Sequence, residues 1–139
     1  MQRVLALDVG EKRIGLAVSD PLGFTAQGLE TYHRTGDLEK DIDYIIRVAN
    51  SYRPVKLLFG LPRNMDGSYG FQADYVREFA DEVLKKWDGE YDFEDERLTT
   101  VSATRMLLEA DVSRGKRKKV VDKIAAVFIL ESYLGRMAR

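Results

Sequence analysis

Three acidic residues stand where their carboxylates could hold a metal ion. Asp8 ends a short apolar run near the amino terminus, Glu96 ends a later predicted strand, and Asp122 lies on an alanine-rich helix face. In an open α/β sheet, neighbouring parallel strands end at one shared edge, where ligands bind. Three carboxylates there would repel one another without a divalent cation, and oxygen ligands suit Mg²⁺ or Mn²⁺. Such ions support phosphodiester hydrolysis by activating water and stabilising the leaving oxygen.

Each of these acids also has a purely structural explanation. Asp8 and Gly10 could be turn residues, with Gly10 supplying the backbone angles that a turn needs. Asp122 could complement the dipole of its own helix, in the first turn. The chain holds 23 acidic residues, so chance triples are expected. Two observations favour a site: Gly15, Ala17 and Ser19 leave one face of the second strand open to close approach, and Asp122 lies on the alanine face of its helix, which can pack tightly on the sheet.

Composition limits the class of protein. The 139 residues, 45% hydrophobic and 32% charged, predict one globular domain spanning residues 1–139. No window is long and apolar enough for a membrane span, and no signal peptide is recognisable, so we expect a cytoplasmic protein without a membrane partner. The absence of cysteine excludes disulfides and thiol chemistry. A single histidine, His33, excludes multi-histidine metal sites, and the sequence assigns it no role.

Charge is unevenly distributed, although the formal net charge is only −1. Positions 90–96 are mostly acidic, and a strongly basic segment follows them. This basic segment consists of Arg114, Lys116, Arg117, Lys118 and Lys119. We predict that it forms a loop before the last helix and contacts nucleic-acid phosphates beside the metal site. A solvated loop without a partner is the alternative.

The hydrophobic periodicity predicts the elements that position these residues. The predicted strands are Val4–Leu7, Ile14–Val18, Phe24–Tyr32, Val55–Phe59 and Tyr91–Glu96. The first predicted helix is capped by Asp37 and runs to about Tyr52, and the second follows the loop Gly60–Gly70, with an apolar stripe from Val76 to Trp87 and its end at Asp88-Gly89. A third helix runs from Thr99 or Thr100 to Ala110, and a fourth from Val120 to about Met137. Short connections make the first three strands antiparallel, and a helical crossover makes the fourth parallel to the first. The result is an α/β domain with a mixed five-stranded sheet of order 3-2-1-4-5, flanked by helices.

Four motifs in this chain resemble the bacterial YqgF (RuvX) family. They are Asp8-Val9-Gly10 with Lys12-Arg13-Ile14-Gly15, Gly60-Leu61-Pro62 with Asn64-Met65-Asp66-Gly67-Ser68, Asp95-Glu96-Arg97-Leu98-Thr99-Thr100, and Asp122-Lys123-Ile124-Ala125-Ala126. The resemblance implies a ribonuclease H-like fold, with its acidic site at Asp8, Glu96 and Asp122. Members of the family are described as Holliday junction resolvases and as nucleases for the 5′ end of precursor 16S ribosomal RNA. The run before Glu96 is more acidic than usual for the family, which leaves Asp95 as an alternative ligand.

These observations together predict a metal-dependent endonuclease that acts on structured RNA or branched DNA. The resemblance implies that it processes the 5′ end of precursor 16S ribosomal RNA in ribosome biogenesis, with Holliday junction resolution in DNA recombination and repair as the alternative. Lys12, Arg13, Arg97 and the basic segment would contact backbone phosphates, which position a substrate without reading its sequence. Ribosomal precursor particles are an expected partner, and a homodimer would favour junction cleavage, which needs two active sites. Two alternatives stay open: a nucleotide-binding domain of the actin and Hsp70 type, and a nucleic-acid-binding module without catalysis.

Overall fold

The computed structural model describes residues 2–62, 70–95 and 114–137, and in the last range it describes side chains from Ile124 onward. Six strands and three helices lie within these ranges. The strands are β1 (Arg3–Val9), β2 (Arg13–Ser19), β3 (Ala26–Gly28), β4 (Tyr32–His33), β5 (Val55–Leu61) and β6 (Tyr91–Asp95). The helices are α1 (Leu38–Ser51), α2 (Phe71–Leu84) and α3 (Arg114–Met137). The helix predicted from Thr99 or Thr100 to Ala110 lies outside the described residues.

The strands form one mixed sheet with β1 in its interior. The strand order is β3-β2-β1-β5-β6, and β4 pairs with β2 beside β3. β2 is antiparallel to β1, whereas β5 is parallel to β1 and β6 is parallel to β5. The predicted α/β class, the central position of β1 and the edge position of β6 are therefore confirmed.

The sheet has six strands rather than the predicted five, because the segment predicted as one third strand is divided. Ala17 of β2 pairs with Gly28, and Ile14 pairs with Tyr32. Between these two pairs the chain advances three residues along β2 but four residues from β3 to β4. One extra residue is therefore accommodated opposite β2, as in a β-bulge. The predicted start of this strand was also wrong. Phe24 lies in the preceding turn, where its side chain is 80% exposed.

Each face of the sheet carries its own apolar layer, because successive strand residues point to opposite sides. On β1, Leu5, Leu7 and Val9 belong to the layer covered by α1 and α2. Val4 and Ala6 belong to the layer that includes the buried residues of α3. Four of the nine buried residues described in the α3 layer are alanines, two on the sheet and two on the helix, and their small side chains allow this part of the helix to lie close to the sheet.

The helix boundaries follow local signals with two differences from the prediction. Asp37 caps α1 as predicted, accepting hydrogen bonds from the backbone N–H groups of Glu39 and Lys40. α2 ends at Leu84 rather than Trp87, although the indole of Trp87 is buried and donates to the Glu90 carbonyl at 3.0 Å. α3 begins at Arg114 rather than Val120, so the basic segment is helical and was wrongly predicted as a loop.

Across the described residues, no helix combines the length and the apolar character that crossing a membrane would require.

Candidate active site

Asp8 lies near the carboxyl end of the central strand, on the face that α3 covers. It follows Ala6 by two residues in β1, and Ala6 is buried in the α3 layer. The residue paired with Asp8 across the strands is Gly15, which has no side chain to fill the space beside the carboxylate. The predicted arrangement, a carboxylate at the end of a buried central strand facing a small-residue partner, is confirmed, and the Asp8 side chain is partly buried there.

Gly10 keeps the turn after Asp8 tight, for a reason that differs from the predicted one. A Cβ atom at Gly10 would lie 2.7 Å from the Arg13 carbonyl oxygen, far closer than real Cβ atoms approach backbone. Gly10 does not have the positive φ angle that Gly23 and Gly36 have. Glycine is therefore required at position 10 because a Cβ atom would not fit, and not because of the backbone angle. The Gly10 N–H donates to the same Arg13 carbonyl at 2.9 Å, closing a hairpin over positions 11 and 12.

α3 brings the Asp122 position to the face that carries Asp8. Ala125 and Ala126 are buried in the same layer as Val4, Ala6 and Ala17. Asp122 precedes Ala125 by three residues, so its backbone position lies on the same side of the helix, one turn earlier. Because α3 begins at Arg114, Asp122 is in the third turn and not the first. The helix-dipole explanation for this aspartate therefore loses its basis, since that effect fades beyond the first turn.

The strand β6 separates its carboxylates between the two faces of the sheet. Asp95 pairs in register with Leu61, whose side chain belongs to the layer under α1 and α2. By strand alternation, Asp95 points to that side, away from the face of Asp8. Asp92 and Glu94 point to α3 instead. Glu96 and Arg97 lie outside the described residues.

Three polar contacts, made by two carboxylates of β6, fasten this strand to the carboxyl-terminal half of α3. The hydroxyl of Tyr133, a side chain only 1% exposed, donates to Asp92 at 3.0 Å and accepts from Lys56 Nζ at 3.0 Å. Glu94, also buried, accepts from the Ser132 hydroxyl at 2.9 Å and pairs with the Arg136 guanidinium.

The pKa values of the two basic side chains in this cluster, Lys56 and Arg136, are raised by their hydrogen bonds. The hydrogen bond to Tyr133 raises the pKa of Lys56, and the hydrogen bond to Glu94 raises the pKa of Arg136. The acidic character of β6, which departs from the resemblance noted above, is thus explained by partners on α3 and β5.

A second polar network holds the β1–β2 turn from the opposite side. The Arg34 guanidinium donates to the Gly10 carbonyl at 3.1 Å and to the Asp41 carboxylate at 3.0 Å, and it also contacts the Tyr75 hydroxyl. The Arg34 backbone N–H donates to the Lys12 carbonyl at 2.8 Å. One arginine therefore connects both sides of the turn to α1 and α2.

Asp41 anchors this network from α1, where its side chain is 1% exposed. Besides Arg34, it accepts from the Tyr32 hydroxyl at 2.8 Å and from the N–H and hydroxyl of Thr35 at 3.1 and 3.0 Å. The pKa of the Tyr32 hydroxyl is raised to about 12, mainly because this hydroxyl is shielded from water and secondly because it donates to Asp41. Sequence reasoning missed both Arg34 and Asp41, because their partners come from separate elements.

Comparison with known proteins identifies the family. A family model described as "RuvX: Holliday junction resolvase" matches residues 2–136. The chain belongs to this family. A Clostridium tetani protein named "Putative pre-16S rRNA nuclease" is 51% identical over 132 residues, which is 95% of each chain. A Clostridium perfringens protein of the same name is 47% identical over 137 residues, which is 99% of each chain. The predicted RuvX membership is confirmed.

Solved structures confirm the fold expected of a RuvX protein. A solved structure described as "T. thermophilus RuvC in complex with Holliday junction substrate" superposes on this chain with a TM-score of 0.59. The two sequences are 11% identical, and the match covers 99% of this chain and 97% of the RuvC chain. The fowlpox virus resolvase, solved with Holliday junction DNA, gives a TM-score of 0.55 at 13% identity, covering 99% and 100%. These likenesses establish the ribonuclease H-like fold.

The predicted site residues of this RuvX chain differ in how much the structure describes. Asp8, Lys12 and Arg13 lie together where β1 ends and β2 begins. For Asp122 and the basic segment, the helical backbone is described but the side chains are not. Within the described ranges, no group of three or more metal-binding side chains converges. The three-carboxylate site therefore stays a prediction.

Proposed function

We propose that this RuvX protein is a metal-dependent endonuclease that processes the 5′ end of precursor 16S ribosomal RNA. The observation that carries the proposal is the match, over 95–99% of the chain, to relatives named as pre-16S rRNA nucleases. Precursor ribosomal particles would then present the substrate. The same family match makes the chain a hydrolase of phosphodiester bonds rather than an actin-type nucleotide-binding domain or a module without catalysis.

The residues near the carboxyl end of β1 fit a hard divalent cation such as Mg²⁺ or Mn²⁺. Asp8 offers an oxygen ligand, and Gly15, its partner across the strands, adds no side chain beside it. Glu96 and Asp122 would complete the set of ligands. A bound cation would supply an activated water and stabilise the leaving oxygen.

Cations of the chain would hold the nucleic acid against this carboxylate site. Lys12 lies in the turn after β1 and Arg13 begins β2, and Arg97 follows Glu96 in the sequence. The basic segment forms the first turns of α3, which leads into Asp122. Since Lys and Arg at such positions would meet phosphate oxygens, they would position the strand without reading its bases.

Holliday junction resolution is the second candidate function, because the matching family model carries that description. A junction has two strands to cut, so this function would require two copies of the chain. A dimer that forms on junction DNA would support it. A monomer that cleaves precursor RNA would support the first proposal instead.

The deciding experiment compares cleavage of three substrates in Mg²⁺ or Mn²⁺: a precursor 16S RNA fragment, single-stranded RNA and a Holliday junction. Wild type is compared with Asp8→Asn, which keeps the size of the side chain but removes its charge. Asp81→Asn makes the same change on the exposed surface of α2, across the sheet from α3, and is the matched control. We expect cleavage to be abolished only in Asp8→Asn.

A second readout does not depend on activity. Mg²⁺ should raise the thermal midpoint of wild type by binding the native state, and this increase should shrink in Asp8→Asn. Without metal, the variant should be at least as stable as wild type, because a repelling charge has been removed. Normal cleavage by Asp8→Asn, or unfolding of the variant without metal, would refute the metal-binding role of Asp8.

A further inference from the structure

The side chain of Arg34 joins three separate parts of the chain, one of which is the turn that follows Asp8. Its guanidinium donates to the Gly10 carbonyl at 3.1 Å, to the Asp41 carboxylate at 3.0 Å and to the Tyr75 hydroxyl. Gly10 belongs to the β1–β2 turn, Asp41 to α1 and Tyr75 to the amino-terminal half of α2. The turn after the proposed metal ligand is thus tied to both helices on one side of the sheet.

The guanidinium of Arg34 and the carboxylate of Asp8 lie on opposite faces of the sheet. Asp8 shares the face of Ala6, which is buried in the α3 layer, whereas Arg34 reaches Asp41 on α1. Arg34 can therefore influence the metal site only through the backbone. It is a candidate positioning residue, and it is not a ligand or a substrate contact.

The backbone path from Arg34 to Asp8 is short. The Gly10 carbonyl accepts from Arg34, and the Gly10 N–H donates to the Arg13 carbonyl at 2.9 Å, so both polar groups of this peptide unit are held. Val9 forms the last strand pair of β1, directly before the turn. Asp8 is two residues from Gly10, about 7 Å along the strand. Movement at Gly10 would therefore be transmitted to Asp8.

Arg34 is itself held firmly enough to fix the turn. Its side chain is 11% exposed, and that of its partner Asp41 is 1% exposed. The rings of Phe79 and Tyr75 lie 4.8 and 5.8 Å from the guanidinium carbon. A planar guanidinium bonds to several acceptors at once in fixed directions, which the ammonium group of lysine cannot do.

Stability alone gives little reason for an ion pair at this depth. Taking two charges out of water is costly, and an apolar pair of similar volume is often as stable or more stable. What an apolar pair could not supply is the directed bond to the Gly10 carbonyl. Such a bond matters at a metal site, because Mg²⁺ requires a nearly ideal octahedral set of oxygen ligands.

We propose that Arg34 is a positioning residue of the active site, which fixes the carboxyl end of β1 through the Gly10 carbonyl and so holds Asp8 in the geometry that a divalent metal requires. The inference rests on the proposed function for the metal at Asp8. It gives α1 and α2, which lie across the sheet from Asp8, a role in metal binding.

The test makes three measurements on the full chain: affinity for Mn²⁺ from the electron paramagnetic resonance signal of the free ion, single-turnover cleavage of a precursor 16S RNA fragment, and affinity for that RNA in EDTA. Arg34→Lys keeps the positive charge beside Asp41 but loses the directed bonds. We expect Mn²⁺ affinity to fall about tenfold, the lower end of the range for contacts just beyond the metal ligands. Cleavage at limiting Mn²⁺ should fall in parallel and recover at high Mn²⁺, with RNA affinity unchanged. Arg47→Lys makes the same substitution on the exposed face of α1 and should change none of these values.

A second variant separates positioning from stability. In Arg34→Met combined with Asp41→Leu, apolar side chains replace the ion pair, so no unpaired charge is left buried. The bond to Gly10 is lost, and Mn²⁺ affinity should again fall about tenfold. Thermal midpoints without metal establish which variants are folded at the assay temperature.

The outcomes distinguish the positioning role from the nuclease function. Wild-type Mn²⁺ affinity in a folded Arg34 variant overturns the positioning role, and so does a tenfold loss of RNA affinity in EDTA, which would make Arg34 a substrate contact. If wild type binds Mn²⁺ but cleaves no RNA, and Arg34→Lys binds Mn²⁺ more weakly, the positioning role stands and the nuclease function falls. If wild type cleaves RNA and the folded variants match it in Mn²⁺ affinity and rate, the nuclease function stands and the positioning role falls.

Discussion

Replacing Asp41 by asparagine should destabilise the protein strongly, because four hydrogen bonds converge on this buried carboxylate. One oxygen, Oδ1, accepts from the hydroxyl of Tyr32 and from the N–H and hydroxyl of Thr35. The other, Oδ2, accepts from Arg34 Nε at 3.0 Å. Asparagine has the same shape as aspartate, but its terminal NH₂ group donates hydrogen bonds instead of accepting them. At either oxygen position, this group would face a side chain or N–H that also donates.

The magnitude follows from which bonds asparagine can keep. Placing its NH₂ group at the Oδ2 position preserves the three bonds to Tyr32 and Thr35 but leaves Arg34 without a carboxylate partner. Removing one partner of a buried pair costs about 3–5 kcal/mol. Because three bonds survive, we expect about 3 kcal/mol, at the low end of that range. For a domain of 139 residues this corresponds to a fall of about 10 °C in the thermal midpoint.

The pH dependence of this loss provides a sharper test. Burial alone would raise the pKa of the Asp41 carboxyl, but hydrogen bonds from Thr35, Tyr32 and Arg34 outweigh burial and hold the pKa below its ordinary value. A depressed folded-state pKa adds stability that is fully present above the unfolded value of about 4 and is lost as pH falls through the folded-state value. Asparagine does not titrate, so the difference between wild type and variant should narrow in acid.

Urea unfolding followed by circular dichroism at pH 7 and at about pH 3 measures this difference in free energy of unfolding. Asp43→Asn is the control on the same helix, because Asp43 is 62% exposed and pairs with Lys86 at 3.3 Å. Its loss should stay below about 1 kcal/mol. A loss below about 1 kcal/mol for Asp41→Asn, or a difference that does not narrow in acid, would refute the reasoning.

Two further predictions concern α3. Changing the basic segment to glutamine should weaken binding to every nucleic acid and lower the log–log salt slope by roughly 0.7–0.9 for each lost phosphate contact, measured by titration at several salt concentrations; an unchanged slope would mean that the segment is only solvated. Tyr133→Phe should lower the free energy of unfolding by about 1–3 kcal/mol, because Lys56 and Asp92 lose the hydroxyl between them. Wild-type stability in urea would contradict the second prediction.

The central hairpin could be predicted from the sequence because its signals are local. Apolar runs on either side of Gly10 indicated two strands, and the small residues of β2 indicated which face would be open. The register of Asp8 with Gly15 then follows from a hairpin of two loop residues. The polar and acidic composition of Tyr91–Glu96 likewise identified β6 as an edge strand.

The features that were not predicted depend on partners distant in the chain. The extra residue between Gly28 and Tyr32 is visible only once both segments pair with β2. The start of α3 was missed because a run of Lys and Arg suits a loop and a helix alike, and both residues are good helix formers. In the sequence, Asp41 is one more polar residue beside the apolar stripe of α1. Its partners Tyr32 and Arg34 come from β4 and from the position directly after β4, and the sequence does not show that these segments meet α1.

The contacts of β6 also bear on which of its carboxylates could serve a metal. Asp92 and Glu94 lie on the α3 face, but Tyr133, Ser132 and Arg136 engage them as structural acceptors. Asp95 lies on the opposite face by strand alternation, in register with Leu61. Asp95 is therefore a poor alternative ligand, and we continue to predict Glu96. The same contacts fix α3 to β6, so a change at Tyr133 should affect metal binding through the backbone that carries Asp122.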